Sequence, residues 1–281
     1  MKDKIILGFD PAFRTGCKLA VIDASGKKLT VDVIYPHQPN AKVRESEQKL
    51  VQLCKEYHVN LIAIGNGTAS RESEAFVANT IKKFNLPVSY TIVSEAGASV
   101  YSASKLAIEE FPDLHVEQRS AISIARRLMD PLSELIKIDP QSIGVGQYQH
   151  DVNQKELSAT LDTVIESAVN HVGVELNTAS SELLRHVAGV NATVAKNIIS
   201  FRDENGTFKN RKQLLKVPRL GQAAFTQCAG FLRLAQSDCP LDNTPVHPES
   251  YPLTEQILAK FGFDIKDLKT KEKLVALKEV I

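Results

Sequence analysis

Two five-residue stretches carry the clearest chemical signal in this sequence. Val187-Ala188-Gly189-Val190-Asn191 and Val217-Pro218-Arg219-Leu220-Gly221 lie 30 residues apart, each between two short helical segments. A turn of this kind gathers backbone N–H groups where the second helix begins, an arrangement suited to holding one phosphate. Glycine belongs in such a turn because a positive φ, or the close approach of a phosphate, excludes a Cβ. The first copy has Gly189 and Asn191, and Asn is the next-best residue for the left-handed region. The second has Arg219 and Gly221 at the matching positions. Thr193 and Gln222 lie in the helix starts that follow, and Lys196, Arg202, Lys209, Arg211, Lys212 and Lys216 join Arg219 around the two turns. Cations so placed supply sequence-independent attraction for phosphate. The competing reading is a helical pair held by tight turns, with ordinary solvated lysines.

The elements that position these turns follow from the pattern of apolar residues. Runs at 5–9, 17–22 and 29–35, separated by turn residues, predict a three-stranded meander. A helix-favouring stretch at 43–57, a run at 59–65, a helical stretch at 71–84 and a run at 88–93 add two strands between helices. The stretch to about residue 138 reads as helical, broken at Pro112 and Pro131. This predicts an α/β part, a mixed sheet with flanking helices. Residues 140–151, rich in Gly and Gln, mark a boundary after which the strand signal disappears. Leu157, Leu161, Val164, Ile165, Ala168, Val169 and Val172 recur at helical spacing and predict one amphipathic helix. The chain is thus expected to continue all-α, with parts at 1–139, 140–236 and 237–281, the last holding a helix near 253–261.

Composition narrows the classes. With 43% apolar and 24% charged residues the chain can bury a core. The formal net charge is +1, yet residues 178–236 hold nine Lys and Arg against three Asp and Glu, a local anion-attracting face in a neutral chain. No apolar run is long enough for a membrane span or the core of a signal peptide. Cys17, Cys54, Cys228 and Cys239 form no C-x-x-C pair. Reduced thiols in a cytoplasm are therefore expected, with neither a disulfide framework nor a zinc site.

Longer motifs carry a resemblance. Residues 176–180, Phe201-Arg202-Asp203-Glu204-Asn205-Gly206-Thr207-Phe208-Lys209 and 214–218 resemble the tandem helix-hairpin-helix module of DNA-uptake proteins. Gly8-Phe9-Asp10-Pro11-Ala12-Phe13-Arg14-Thr15-Gly16, the stretch 94–104, Ile143-Gly144-Val145-Gly146-Gln147-Tyr148-Gln149-His150-Asp151-Val152 and Val246-His247-Pro248-Glu249 together resemble the Tex family of bacterial transcription accessory proteins. The resemblance covers nearly the whole chain. It implies a YqgF-type, RNase H-like domain, then the tandem hairpin domain and a helical tail. It also implies a central fragment, because Tex proteins carry an N-terminal helical region and a C-terminal S1 RNA-binding domain as well.

An RNase H-like fold raises the question of nuclease chemistry, in which carboxylates from separate elements hold two metal ions. Under the resemblance Asp10 takes the first acidic position and Glu95 the one after the fifth strand. The position after the fourth strand falls near the neutral Asn66, and the late helix offers only Arg119-Ser120-Ala121-Ile122-Ser123. Asp130 or Asp139 would have to fill that gap, and Asp10 has alternative uses in capping a turn or pairing with Arg14. Asp10 and Glu95 are therefore read as remnant acids that would hold at most a weak, hydrated Mg²⁺. No cofactor and no enzyme activity are expected.

Three further features have plainer readings. Gly65-Asn66-Gly67 lacks the Gly-Lys-[Ser/Thr] ending of a P-loop and reads as a strand-to-helix turn. His150 beside Asp151 has no identifiable nucleophile and reads as a loop residue. Arg126-Arg127 reads as a solvated helix face, with extension of a basic track as its alternative. Six Tyr, eleven Phe and no Trp argue against base stacking on the sheet. The sequence thus predicts largely non-specific binding to an RNA or DNA backbone in transcription, with no membrane partner. The rivals are a metal-dependent nuclease or resolvase using Asp10 and Glu95, and a scaffold that docks transcription machinery.

Overall fold

A computed structural model describes residues 4–280, and the chain divides into two units between Asp151 and Val152. In the first unit, β1 (Ile6–Asp10), β2 (Cys17–Ile22) and β3 (Lys28–Ile34) form the meander. The chain then runs through α1 (Val43–Glu56), β4 (Leu61–Gly65), α2 (Ser70–Phe84) and β5 (Ser89–Val93). The sheet order is β3-β2-β1-β4-β5, antiparallel from β3 to β1 and parallel from β1 to β5. This is the expected mixed sheet with flanking helices. The region read as helical resolves into α3 (Ala98–Ser102), α4 (Lys105–Glu110), α5 (Val116–Met129) and α6 (Pro131–Leu135), and the stretch read as a boundary loop opens with a short α7 (Pro140–Ile143). Pro131 opens α6 with Asp130 as its N-cap, a position where a missing N–H costs nothing.

Alternation along the strands sorts side chains onto two faces. On one, Leu7, Phe9, Leu19, Val21, Ile62 and Ile64 cluster with Leu50 and Leu53 of α1 and Phe76 and Val77 of α2. On the other, Ile6, Ala20, Ile22 and Ala63 cluster with Ala121, Ile122, Ala125 and Met129 of α5. The small residues of this second face let α5 lie close. A Cβ added to Gly8 would stand 2.0 Å from the carbonyl oxygen of Ala121.

Behind α5 lies a buried, charge-balanced network. The Tyr101 hydroxyl donates to Glu110 (2.5 Å), which also accepts from Arg126 (3.0 Å) and Lys137 (3.2 Å). Glu134 accepts from Ser123 (2.9 Å) and Lys137 (2.6 Å). Arg126 thus serves this network, and Arg127 donates to the carbonyls of Ser94 and Ala96 (2.8 Å each). The pair is neither a solvated face nor a basic track, because each guanidinium finds acceptors on neighbouring elements.

The second unit holds α8 (Gln154–Val172), β6 (Val174–Glu175), α9 (Ser181–Leu184), α10 (Ala192–Asn205), a 3₁₀ segment at Arg211–Lys216, α11 (Gln222–Cys228) and β7 (Leu232–Arg233). After these come α12 (Tyr251–Lys260), a 3₁₀ segment at Ile265–Lys269 and α13 (Lys271–Val280). The unit is helical as expected, except that β6 and β7 pair in parallel over two residues each. Of the apolar stripe read on α8, only Val169 is buried, and Val164 and Val172 are exposed. The boundary expected after residue 236 is bridged by Arg211, which binds both sides of it.

Replacing Gly8 with Ala forces the backbone of α5 away from β1. A loss of about 2–3 kcal/mol in urea unfolding is expected, typical of overpacking. Gly146→Ala, where an added Cβ meets nothing within 4 Å, should change stability little.

Candidate nucleic-acid interface

The acids read as remnants gather at the carboxyl ends of β1 and β5. Asp10 ends β1 opposite Lys18 of β2, so the two side chains share the sheet face covered by α5. Burial pushes Asp10 up to about 6. A hydrogen bond from Ser120 opposes the shift, the charges of Glu95 and Glu117 add to it, and Lys18 lowers it. Glu95 is held by the turn after β4: Asn66 Oδ1 accepts its backbone N–H (3.0 Å), and a Cβ on Gly67 would stand 1.6 Å from its Oε1. The Gly65-Asn66-Gly67 turn therefore cradles an internal carboxylate. Asp130 and Asp139, the acids that would have to fill the gap, are instead used as caps of the helices that follow them, accepting from Ser133 N (3.1 Å) and Gln141 N (2.9 Å). The acid on the late helix is Glu117, one turn before Ser120, and it is ion-paired to Lys18.

RNase H-like nuclease chemistry needs carboxylates converging on metal ions, and this donor set does not fit that need. Asp10 is shifted toward its neutral form, the Glu95 carboxyl packs over glycines, and Glu117 is engaged by an ammonium. Among the described residues no three His, Cys, Asp or Glu side chains are grouped to hold a metal.

The repeated turns of the helical unit are built alike. Gly189 (φ +82°) and Arg219 (φ +65°) both occupy the left-handed region. The N–H of Val190 donates to Val187 O (3.0 Å), and that of Leu220 to Val217 O (3.1 Å). Pro218 before a positive-φ residue is the pattern of a type II turn. Two residues after each left-handed residue stands the helix N-cap, Asn191 before α10 and Gly221 before α11. Asn191 Oδ1 accepts from Val194 N (2.9 Å), whereas Gly221 offers no side chain. The hairpins lock reciprocally. A Cβ on Gly189 would stand 2.6 Å from Gln227 Cβ of α11, and Asn197 of α10 donates to Pro218 O (2.7 Å). Gly189, Asn191, Thr193, Lys196, Lys209, Lys212, Arg219, Gly221 and Gln222 are all exposed.

A third turn of related form follows α12. Gly262 has φ +80°, and Asp264, two residues on, caps the next helical segment. Phe263 N–H donates to Leu258 O (2.9 Å) and Gly262 N–H to Ala259 O (3.0 Å), the bonds of a Schellman motif.

Comparison with known proteins agrees with this architecture. The Tex protein YqgF-like domain matches residues 4–129, the helix-hairpin-helix motif 169–233, and a further HHH domain 239–280. Protein tex of Bordetella pertussis is 55% identical over 266 residues, 94% of this chain and 34% of its own length. Transcriptional accessory protein Tex of Neisseria gonorrhoeae is 54% identical over 265 residues, covering 93% and 34%. This chain belongs to the Tex family. It spans about a third of the length of these relatives. S1 RNA-binding domain-containing protein 1 of Homo sapiens is 43% identical over 310 residues, covering 92% of this chain and 31% of its own. Among solved structures, Thermus thermophilus RuvC aligns with 43% of this chain and 92% of its own, at 16% identity and TM-score 0.33.

Within this Tex-family chain one expected contact residue is misplaced. Arg211 is buried, because its guanidinium is consumed inside the unit. Nε donates to Leu232 O (2.7 Å), Nη1 to Val246 O (2.7 Å) and the Tyr251 hydroxyl (2.7 Å), and Nη2 to Thr244 O (2.6 Å). Arg202 is likewise tied to Leu176 O (3.3 Å) and Ala179 O (3.1 Å). Residues that sequence reasoning passed over shape the first turn. Asn170 of α8 accepts from Ala188 N (3.1 Å) and donates to His186 O (3.0 Å). In place of the expected helical tail, residues 239–280 match a further HHH domain, signalled by Phe261-Gly262-Phe263-Asp264. His150 is an exposed loop residue near Gln149.

Two measurements check these placements. The raised Asp10 pKa means the folded state holds this proton more tightly than the unfolded state. Its contribution is therefore fully present below pH 3.8 and is lost as pH rises through about 6. Asp10→Asn should stabilise the protein by about 3 kcal/mol at pH 8 and by about half that at pH 5, read by urea unfolding. Arg211→Gln should cost about 3 kcal/mol or more, since it strands buried acceptors, while exposed Lys212→Gln stays within about 0.5 kcal/mol.

Proposed function

We propose that the helical unit binds the phosphate backbone of RNA or DNA without reading its sequence, as part of a role in transcription. The observation that carries this reading is the pair of locked, exposed turns at 187–191 and 217–221, set among Lys196, Lys209, Lys212, Lys216 and Arg219 within the segment matched to the helix-hairpin-helix motif. Backbone amides and cations of this kind position a nucleic acid and carry no base information. The name of the Neisseria relative, transcriptional accessory protein, supports the setting. The sheet unit acts as a non-catalytic part, because its acids are packed, paired or shifted toward neutrality. Among the described residues no helix is long and apolar enough to cross a membrane.

Fluorescence anisotropy with labelled single- and double-stranded DNA and RNA between about 50 and 200 mM salt tests the reading. Affinity should fall steeply with salt and vary little with sequence. The triple variant Lys196→Glu, Lys212→Glu, Arg219→Glu should bind more weakly, its log–log salt slope reduced by roughly 0.7–0.9 per lost phosphate contact. An unchanged slope would place the contact face elsewhere. Cleavage of the same substrates with Mg²⁺ or Mn²⁺, abolished by Asp10→Asn, would overturn the non-catalytic reading of the sheet.

A further inference from the structure

Lys18 is a buried lysine at the mouth of the sheet, 4% exposed, and its ammonium is surrounded by oxygen. Nζ donates to Thr15 O (3.0 Å), Thr15 Oγ1 (2.7 Å) and Gly16 O (2.8 Å), and it is ion-paired to the Glu117 carboxylate. Asp10 stands directly across the strand pair. Two backbone carbonyls, a hydroxyl and the Glu117 carboxylate, with the Asp10 carboxyl nearby as a second charge, are the oxygen donors that a hard cation such as Mg²⁺, Mn²⁺ or Ca²⁺ takes. A lysine ammonium is a compact point charge with three donors, suited to such a shell, but it is fixed by its own chain.

We propose that the Lys18 ammonium is the resident cation of this corner, filling an oxygen shell that would otherwise accept a divalent ion. The positive charge these oxygens call for is thus supplied covalently, by a side chain of β2. Glu117 then serves to tie α5 to β2 through Lys18 rather than to gather a metal. The same shell excludes a divalent ion in the native chain, because the ion and the ammonium would compete for the same oxygens with like charge.

The proposal rests on the non-catalytic reading of the sheet, and Mn²⁺ is a probe that separates the two. In an electron paramagnetic resonance titration, the wild-type chain should leave added Mn²⁺ free. Lys18→Ala vacates the shell and should take up about one Mn²⁺, with an affinity of the order of 0.1–1 mM, as in weak oxygen-donor sites. Its melting temperature should rise with Mn²⁺ while that of the wild type stays fixed, and adding Glu117→Gln should abolish the uptake. Lys18→Gln, refolded with and without Mn²⁺, guards against a variant that cannot fold in the absence of a cation. If neither variant is bound or stabilised by Mn²⁺, the proposal fails. Wild-type Mn²⁺ binding that is lost in Asp10→Asn, without cleavage of nucleic acid, overturns the proposal alone. Binding with cleavage overturns the non-catalytic reading as well.

Discussion

The helical unit depends on one backbone requirement, a residue with positive φ placed two positions before a helix N-cap. It is met at Gly189, Arg219 and Gly262. Such a residue lets the chain reverse and start the next helix with its first N–H groups outside the helical ladder. Glycine meets the requirement without steric cost, and at position 189 it also leaves the room that Gln227 occupies. Arg219 meets it at a cost of about 1–2 kcal/mol for a side chain in the left-handed region. That side chain is exposed and basic, so the strain sets a cation at the turn itself. The third turn shares the positive φ and the N-cap two residues on, but it is a Schellman turn that ends on Asp264, with Asp267 completing its capping box. Two acidic side chains make that turn a poor partner for phosphate, which is why the proposed interface is confined to the two basic hairpins.

The two units use charge in opposite ways. In the sheet unit, close approach of α5 over Gly8 places Glu117, Ser120, Arg126 and Arg127 against strands and neighbouring helices, where every one of them has a partner. Glu117 itself stays half exposed, whereas Arg127 is buried, and a charge buried in this manner specifies an arrangement more than it adds stability. In the helical unit most cations near the turns remain in solvent, where attraction for phosphate is long-ranged and sensitive to salt. Arg211 and Arg202 are the exceptions: Arg211 ties the hairpins to the carbonyls of Val246 and Thr244, and Arg202 is bound to those of Leu176 and Ala179.

How much of this was readable from the sequence follows the range of the interactions. The sheet was legible because β1, β2 and β4 are nearly continuous apolar runs, and its strand limits fall within two residues of those runs. The two hairpin turns were legible because their signal is local and repeated. Glu117 was missed because its approach to Asp10 depends on the phase of α5, which begins at Val116 and not at the segment 119–123. Arg211 and Lys212 are adjacent and chemically alike, and only Leu232, Thr244, Val246 and Tyr251, all distant in sequence, decide which one is buried. Two-residue strands such as β6 and β7 leave no alternation to detect. The third hairpin escaped notice because its spacing differs from the 30-residue repeat and its cap is acidic.

The central claim is that the turns at 187–191 and 217–221 meet nucleic acid through their backbone. Amide hydrogen exchange on the intact chain, with and without a saturating oligonucleotide at low salt, addresses those amides directly. The account predicts slowed exchange concentrated at 189–193 and 219–222, with the acidic turn at 262–264 and the Asp10–Lys18 corner unchanged. Protection confined to the sheet unit or to the third turn, with the two basic turns unaffected, would contradict it.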